Sequence, residues 1–418
     1  MPTESADYDV IVVGGGPAGS TTAALLAARG HRVVVLERER MPRYHIGESL
    51  IPYCWFTLDR LGVLDKMHAS ADTRKYSVQF VSTAGRVSHP FYFFQTIAHE
   101  CAVTWQVVRS EFDAMLLDNA RDKGAEVRQG ATVRDVLMEG TRVVGVRVDE
   151  KDGTRGLEIR ARVVVDATGR DTLLSRKFGW LKRDADLHKI ALWTYFKGAK
   201  RDPGLDAGAT TVAYVPEKGW FWYVPQHSDI VSVGVVGGPE YLYRETRDPE
   251  AIFAREVRDC AWIHDHLEGA TQVEPVQATG EYSYHSAQAA GDGCCLVGDA
   301  FSFLDPLFSS GVFLALKGGE MAADTIHAAL EAGDVSAAKF EGYLRDQQHA
   351  VNSFRSLVLA FYDLSFSFRE FLDEYPHLHS SIVDTLVGNV FTDLAPLNAA
   401  LAEFAQRSAR VEISATTA

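Results

Sequence analysis

A glycine-rich turn near the N-terminus constrains the fold more than any other feature of the sequence. The β-branched run at residues 9–13 leads into Gly-Gly-Gly-Pro-Ala-Gly at 14–19, and residues 20–29 have the alanine and leucine content of a helix. A second apolar run of strand length, residues 33–36, ends at Glu37. Parallel strands need a crossover connection that is usually a helix, so this order predicts a βαβ unit in a parallel sheet.

The spacing of Gly14, Gly16 and Gly19 is typical of a dinucleotide-binding turn. The first glycine permits the tight turn, the second lets the backbone approach a pyrophosphate, and the third lets the helix pack on the strand. The helix that follows this turn then directs the partial positive charge of its N-terminus at the phosphates. Glu37, 18 residues after Gly19, can accept a hydrogen bond from a ribose hydroxyl, which favours FAD or NAD over a 2′-phosphorylated dinucleotide.

Two later strand ends favour FAD over NAD. Residues 162–166 form an apolar run that enters the small-residue turn Ala167-Thr168-Gly169, and residues 296–297 lead into Gly298-Asp299. An acid at such a strand end can hold ribityl hydroxyls. The chain continues through Asp305-Pro306 and Ser309-Ser310-Gly311 into a predicted helix at 312–323, whose N-terminus can face an electron-rich ring or an anion.

Composition excludes several other classes of protein. A chain of 418 residues exceeds the size at which single cores stop growing, so two lobes are expected. The net charge of −14 argues against a nucleic-acid binder. No apolar run is long enough for a transmembrane segment. The five scattered cysteines lack a C-x-x-C pair, so neither a disulfide framework nor a metal site is expected, and with the polar stretch at 1–5 they indicate a cytoplasmic protein.

The order of these motifs, over about residues 8–330, resembles the FAD-dependent oxidoreductases of the p-hydroxybenzoate hydroxylase type. The resemblance implies an α/β fold in which a Rossmann-like FAD-binding domain is interwoven with a mixed β-sheet substrate domain, followed by a helical C-terminal region. The predicted FAD-binding segments are 1–75, 100–185 and 280–330, the substrate segments are 76–99 and 186–279, and the helical region is 331–418. No second G-x-G-x-x-G occurs, so a separate NAD(P)H-flavin reductase is expected to supply FADH₂.

Two finer motifs resemble both flavin-dependent halogenases and geranylgeranyl-reductase-like proteins. They are the stretch at 42–50, Pro-Arg-Tyr-His-Ile-Gly-Glu-Ser-Leu, and the stretch at 106–113 that contains Arg109. Because both families share these stretches, neither motif separates them. Together with the turns described above, the cofactor-binding residues implied are Gly14, Gly16, Pro17, Ala18, Gly19, Glu37, Arg38, Arg43, Ile46, Gly47, Glu48, Ser49, Arg109, Ala167, Thr168, Gly169, Gly298, Asp299, Pro306, Gly311 and Val312.

Three features favour the halogenases, and the first two are a tryptophan motif and a lysine. Trp220, Trp222 and Pro225 resemble the W-x-W-x-I-P signature of that family, with valine at 224 in place of isoleucine. The alternative is a sheet strand with two aromatic residues on one face. Lys75 resembles the essential lysine of the family in its K-x-G-x-x-F context, although Ser77 replaces the glycine. The alternative is a solvated lysine at the start of a strand.

A third feature is the stretch at 305–312, which resembles the halogenase loop that supplies backbone donors for halide. Its Ser309, Ser310 and Gly311 are the residues implied for a halide and flavin loop. The aromatic-rich C-terminal part is expected to be helical and resembles the tail that covers the substrate side of such enzymes. Ordinary core packing of an amphipathic helix is the alternative. The aromatic residues are Phe354, Phe361, Tyr362, Phe366, Phe368 and Phe371.

The resemblance therefore implies a halogenase that uses FADH₂, O₂ and chloride or bromide. Such an enzyme makes hypohalous acid from a flavin C4a-hydroperoxide and halogenates an electron-rich substrate. The chain is closer in length to family members that act on phenols, or on pyrrole and aryl groups tethered to a carrier protein, than to tryptophan halogenases. A flavin monooxygenase, a prenyl reductase of the geranylgeranyl-reductase type and a non-catalytic flavin-binding protein are the alternatives.

Overall fold

The computed structural model describes residues 6–280, 283–363 and 366–416. The polar stretch 1–5, and the parts of the predicted segments that fall at 281–282, 364–365 and 417–418, lie outside the described residues. Within them the helices are α1 (Pro17–Ala27), α2 (Cys54–Leu61), α3 (Leu64–Ala69), α4 (Arg109–Asp122), α5 (Leu173–Lys177), α6 (Pro239–Leu242), α7 (Pro249–Asp259), α8 (Ala261–Leu267), α9 (Ser310–Glu331), α10 (Glu341–Tyr362), α11 (Phe368–Glu374), α12 (His379–Val387) and α13 (Ala395–Thr416).

The strands of the same described residues form two large sheets and two small ones. They are β1 (Tyr8–Val13), β2 (Val33–Glu37), β3 (Thr73–Lys75), β4 (Ser77–Val81), β5 (Phe91–Tyr92), β6 (Thr104–Gln106), β7 (Glu126–Gln129), β8 (Ala131–Glu139), β9 (Arg142–Glu150), β10 (Leu157–Asp166), β11 (Leu181–Arg183), β12 (Ile190–Lys197), β13 (Thr210–Val215), β14 (Gly219–Pro225), β15 (Ile230–Gly237), β16 (Thr271–Gln272), β17 (Gln277–Gly280), β18 (Tyr284–Ser286), β19 (Ala290–Gly291), β20 (Cys294–Leu296) and β21 (Ser302–Phe303).

The first large sheet has a parallel centre in the order β20, β10, β1, β2, β7. Its central strands are continuous runs of buried valine, as expected for strands covered on both faces. The predicted βαβ unit is confirmed, although α1 begins at Pro17 rather than at residue 20. Proline is favoured in the first helical turn because its missing N–H has no intrahelical partner there. The carboxyl ends of β1, β2, β10 and β20 meet at one edge, which is the usual place for a ligand in such sheets.

The second large sheet is mostly antiparallel, in the order β16, β12, β15, β14, β13, β4, β5. The chain enters it after β2 and α2, returns to the first sheet at β7, and enters it again at β12. One face of this sheet packs on α7 and α8, and the other faces the end of α10 and the loop before α9. The predicted fold class, a Rossmann-like sheet interwoven with a mixed sheet and followed by helices, is confirmed.

The C-terminal region is helical, with one difference from the prediction. Phe354, Phe361 and Tyr362 lie on α10, and Phe368 and Phe371 lie on α11, but Phe366 falls between the two helices. It packs against Phe371 and Phe404, so its place is set by tertiary contact rather than by helical periodicity. Among the described residues, no helix has both the length and the apolar character that crossing a bilayer requires.

Candidate active site

The turn between β1 and α1 is pressed against the end of β10. Gly14 has a φ of +108°, and a Cβ there would lie 2.3 Å from the carbonyl oxygen of Ala167. A Cβ on Gly19 would lie 2.0 Å from the carbonyl oxygen of Gly14. Both glycines are therefore required by close packing. Gly16 is the N-cap of α1 and no side chain caps the helix, so the N–H groups after Pro17 are left to a ligand or solvent.

Arg43 brings a half-buried positive charge to this helix N-terminus. Its Nη2 lies 3.4 Å from the place that a Cβ on Gly16 would occupy. Its Nη1 lies 3.3 Å from Oδ2 of Asp113 but makes no hydrogen bond. An unpartnered guanidinium donor beside an open helix N-terminus fits the diphosphate of a dinucleotide.

The carboxylate of Glu37 is fixed at the end of β2, next to the same turn. Its two oxygens accept hydrogen bonds from the backbone N–H of Gly15 at 2.7 Å and of Glu39 at 2.8 Å. Carboxylate oxygens have further acceptor capacity, so this position fits a ribose hydroxyl. Arg38, predicted as a cofactor contact, is half exposed and pairs with Asp171.

The turn after β10 is organised by Asp166, a residue absent from the predicted contacts. This fully buried carboxylate accepts hydrogen bonds from Thr168 N at 3.0 Å, Thr168 Oγ1 at 2.6 Å and Leu174 N at 2.7 Å. Its role is to hold Ala167, Thr168 and Gly169 against Gly14. A carboxylate that ends a buried strand and is followed by threonine is the sequence signal that could have identified it.

The strand end after β20 contacts α1 directly. A Cβ on Gly298 would lie 2.9 Å from Cβ of Ala18. The neighbouring Asp299 has a pKa raised to about 6 because burial disfavours its charge, and the positive charges of Arg109 and Arg170 oppose that shift. A half-buried carboxyl at this edge fits the predicted contact with ribityl hydroxyls.

Arg109 ties the 42–50 stretch to α4. Its Nη1 donates to the carbonyl oxygens of Ile46 at 2.7 Å and Gly47 at 3.1 Å. Its Nε and Nη2 donate to the two oxygens of Asp113 at 2.8 and 3.0 Å. The geometry makes Arg109 a backbone clamp, which positions the Ile46–Gly47 peptide at the edge of the parallel sheet.

The next two residues, Glu48 and Ser49, turn toward the substrate sheet. Glu48 is buried and accepts a hydrogen bond from the hydroxyl of Tyr195 at 2.7 Å. Burial raises the pKa of Glu48, against the hydrogen bond from Tyr195. Ser49 Oγ lies 2.8 Å from Thr210 Oγ1. The side chains of both residues thus connect the 42–50 stretch to β12 and β13 of the second large sheet.

Lys75 is a buried lysine at this junction, 1% exposed. Its Nζ donates to Ser49 Oγ at 2.8 Å and to the Leu50 carbonyl oxygen at 3.1 Å, and lies 5.5 Å from the centroid of the Phe93 ring. Burial lowers the pKa of Lys75 to about 7, so the charged and neutral amine are both populated near neutral pH. The alternative of a solvated lysine is therefore wrong, because the Lys75 side chain is buried.

Trp220 and Trp222 lie on one face of β14, as the alternation of a strand requires. Their ring centroids are 6.1 Å apart, and Trp222 Nε1 donates to Ser232 Oγ at 3.1 Å. A Cβ on Gly234 of the next strand would lie 2.3 Å from the Trp222 ring, so glycine is needed there. Pro225 ends the strand opposite Val231.

The same sheet face carries Thr210. Its Oγ1 contacts Ser49 Oγ, and Ser49 Oγ also accepts the hydrogen bond from Lys75. Val212 of β13 pairs with Trp222, and Thr210 lies two residues before it, on the same side of the pleat. Lys75 itself lies on β3 of the small β3–β6 sheet, and Ser49 connects its amine to the sheet face that carries Trp220 and Trp222.

The loop at 305–312 closes over that face. Trp220 Nε1 donates to the hydroxyl of Tyr362 at 2.8 Å, and this hydroxyl donates to Oδ2 of Asp305 at 2.9 Å. Asp305 also accepts from Leu307 N at 3.1 Å and is fully buried, which raises its pKa to about 6. Lys189 Nζ lies 4.2 Å from the centroid of the Tyr362 ring.

The end of the loop is open toward α9. Ser309 has a φ of +55°, an uncommon value for a non-glycine residue, and α9 begins at Ser310 without a side-chain cap. A Cβ on Gly311 would meet no atom within 4 Å. Pro306 and Val312 flank this segment. Uncapped N–H groups at the N-terminus of a 22-residue helix fit a halide ion.

Sequence reasoning had not assigned a role to Asp305, Tyr362 and Lys189. Asp305 and Tyr362 each lie within a sequence motif, but their contact joins residues 57 apart along the chain and has no local signal. Lys189 is an isolated lysine before β12, where a sequence pattern predicts only a strand start.

Comparison with known proteins agrees with this arrangement. A family model for the FAD binding domain matches residues 7–349. The chain is 32% identical to a 1H-pyrrole-2-carbonyl-(peptidyl-carrier protein) chlorinase of Pseudomonas fluorescens, over 92% of this chain and 90% of that protein. It is 34% identical to a 1H-pyrrole-2-carbonyl-(peptidyl-carrier protein) brominase of Pseudoalteromonas luteoviolacea, over 79% of this chain and 80% of that protein.

The structure of the flavin-dependent brominase Bmp2 is similar over nearly the whole chain, with a TM-score of 0.86, 30% identity, and coverage of 98% of this chain and 99% of that one. The residues around Gly14, Arg43, Glu37 and Asp299 fit FAD, and the start of α9 fits a halide ion. The chain is thus an FAD-dependent enzyme and belongs to the flavin-dependent halogenases.

Proposed function

We propose that this enzyme halogenates an electron-rich, pyrrole-like ring that is presented as a thioester on a carrier protein, with chloride or bromide as the halogen source. The observation that carries the proposal is one aromatic cluster, to which the substrate sheet, the loop at 305–312 and the tail all contribute. Its members include Trp193, Tyr195, Trp220, Trp222, Leu307 and Phe361. Its flat, apolar character suits an aromatic ring.

In this proposal, bound reduced FAD and O₂ supply the oxidation that turns halide into hypohalous acid. The uncapped N–H groups of Ser310 and Gly311 hold the halide. Trp220 and Trp222 form part of the wall against which the ring binds and would keep it apart from bound flavin, while Tyr362 and Asp305 hold the loop in place.

Lys75 acts on the electrophile. Its ammonium form can hold hypohalous acid by a hydrogen bond, and its neutral form can react with the acid to give an N–halogen bond and water. Transfer of the halogen to a ring carbon then breaks the N–halogen bond, and the proton lost from that carbon restores the amine. A pKa near 7 makes both forms available at neutral pH.

Carrier delivery is supported by similarity to two enzymes whose names specify a carrier-bound pyrrole. A chain of net charge −14 needs a local basic surface to meet an acidic carrier. Arg176, Lys182 and Arg183 are exposed on α5 and β11, as is Lys177, which pairs with Asp135. They adjoin the ribbon β11–β18–β21, and β21 leads into the loop at Asp305.

The test of this function is a comparison of substrates. Purified enzyme with FAD, a flavin reductase, NADH and bromide receives pyrrole-2-carbonyl thioester on a carrier protein, free pyrrole-2-carboxylate, or a simple phenol. Mass spectrometry should find bromination of the carrier-bound ring in preference to both free compounds. Efficient bromination of free phenols with an inert carrier substrate would instead support the phenolic class.

We also propose that reduction occurs in a separate reductase. Bound FAD should then remain oxidised when NADH or NADPH is added without a reductase, as followed by the flavin absorbance. Direct reduction by NADH or NADPH, with a hydroxylated product, would favour the monooxygenase alternative.

A further inference from the structure

Three potential metal ligands meet away from the active site, where α1 and α9 both end. His31 follows α1, and His327 and Glu331 lie four residues apart near the end of α9. His31 Nε2 is 2.8 Å from His327 Nδ1, and the ligand atoms of the three residues all lie within 4.8 Å of one another. None of them has a role in the proposed reaction.

The two helices run side by side and end together. Thr22 of α1 donates to the carbonyl oxygen of Gly319 in α9 at 3.1 Å, and the Arg29 guanidinium donates to that of Ala323 at 3.2 Å. The C-terminal ends of both helices carry partial negative charge. Their convergence therefore favours a cation at this place.

The charged groups around the histidines are mixed. Asp9 and Glu331 bring negative charge and Arg162 brings positive charge close to His31. Arg162 is directed at the backbone, where it donates to the Leu330 carbonyl oxygen at 3.0 Å.

The geometry needs little adjustment to hold an ion. Two imidazole nitrogens bound to one tetrahedral zinc ion at about 2.0–2.1 Å lie roughly 3.4 Å apart, so the present 2.8 Å separation must open by about half an ångström. Glu331 is exposed and ends its helix, so its carboxylate is free to swing toward the pair. Two histidines and one glutamate are a donor set that zinc takes in proteins, with water as the fourth ligand.

We propose that His31, His327 and Glu331 bind a divalent transition-metal ion such as zinc or cobalt. The ion joins the end of α9 to the N-terminal βαβ unit. A helix of 22 residues is about 33 Å long, so the ion lies far from the halide end of α9. Its role is structural, and it takes no part in halogen transfer.

Titration of untagged, chelator-treated holoenzyme tests the site. Cobalt should bind with one equivalent and give the visible absorption of a tetrahedral complex. Zinc at a hundredfold excess over its dissociation constant should raise the melting temperature by roughly 3 °C. Magnesium, which prefers oxygen ligands, should give no shift. The halogenation rate should be the same with and without zinc.

Variants locate the ion. His31→Gln and His327→Gln should each weaken cobalt binding more than tenfold, and Glu331→Gln should weaken it less, because the two imidazoles remain. His89→Gln, at an exposed histidine in another part of the chain, should leave binding unchanged. The absence of a saturable one-equivalent site, or equal affinity in the wild type and both histidine variants, would overturn the proposal.

Discussion

The hydroxyl of Tyr362 donates a hydrogen bond of 2.9 Å to the buried carboxylate of Asp305, and thereby fastens the C-terminal helices to the loop that precedes α9. The same hydroxyl accepts from Trp220 Nε1 at 2.8 Å. A tail residue, a loop residue and a signature tryptophan of the sheet thus share one hydrogen-bond chain. The position of the proposed halide site depends on all three parts of the fold.

Replacing Tyr362 by phenylalanine should loosen this loop. The change leaves Asp305 without one donor and Trp220 without an acceptor, at a cost of about 1–3 kcal/mol. We expect the KM for bromide to rise about tenfold while the FAD affinity stays the same, as measured by steady-state kinetics and flavin fluorescence. Tyr375→Phe is the control, because its hydroxyl contacts Arg407 and Glu374 on the surface and not the loop. An unchanged bromide KM would show that the loop does not depend on the tail.

The raised pKa of Asp305 predicts a dependence of stability on pH. Its folded-state pKa of about 6 exceeds the ordinary 3.8, so its contribution to stability is full below pH 3.8 and is lost as the pH rises through 6. Asp305→Asn is neutral at every pH. In urea unfolding between pH 4 and pH 7.5, the wild type should therefore lose stability relative to this variant up to about pH 6 and then level off. A difference that is independent of pH would contradict the assignment.

Gly234 should be intolerant of a side chain. An added Cβ would lie 2.3 Å from the Trp222 ring and 2.6 Å from Cβ of Trp193. Gly234→Ala should reduce the free energy of unfolding by about 1–3 kcal/mol and change the near-UV circular dichroism of the tryptophans. Gly238→Ala, whose added Cβ meets no atom within 4 Å, should change neither quantity appreciably. Equal effects of the two substitutions would exclude the close packing of Trp222.

Arg43 should contribute to FAD binding through charge. Loss of a charge-assisted hydrogen bond to the diphosphate costs about 1.5–3 kcal/mol, so Arg43→Gln should raise the dissociation constant for FAD about 10- to 100-fold. Arg38→Gln, at a half-exposed arginine paired with Asp171, should change it little. The measurement is fluorescence titration of apoprotein with FAD. A larger loss for Arg38→Gln than for Arg43→Gln would reverse the assignment of the two arginines.

Local patterns predicted the parts of the site that are built locally. The order of strand, glycines and helix around Gly14 predicts the βαβ unit. Glycine is needed at positions 14 and 19 because the packed turn leaves no room for a Cβ at either one. The alternation in β14 likewise placed Trp220 and Trp222 on one face.

Contacts between distant segments could not be predicted in this way. The hydrogen bond between Asp305 and Tyr362, and that between Glu48 and Tyr195, form only when the two sheets and the tail pack together. The clamp role of Arg109 also depends on how α4 meets Ile46. A sequence pattern indicates which residues lie on an element, but not which buried polar groups satisfy one another.

Lys75 is central to the proposed mechanism, because its amine holds the hypohalous acid or carries the halogen to the ring. Lys75→Ala tests it most directly, assayed by mass spectrometry of the halogenated product together with hydrogen peroxide release and flavin fluorescence. Lys66→Ala, at a half-exposed lysine paired with Asp122, is the matched control. Lys189→Ala tests the other lysine near the loop.

We predict that Lys75→Ala binds FAD normally and consumes reduced flavin, but releases hydrogen peroxide and gives no halogenated product. Lys66→Ala should retain wild-type halogenation, and Lys189→Ala should retain measurable product. Halogenation by Lys75→Ala at the wild-type rate, or its loss only in Lys189→Ala, would contradict the account.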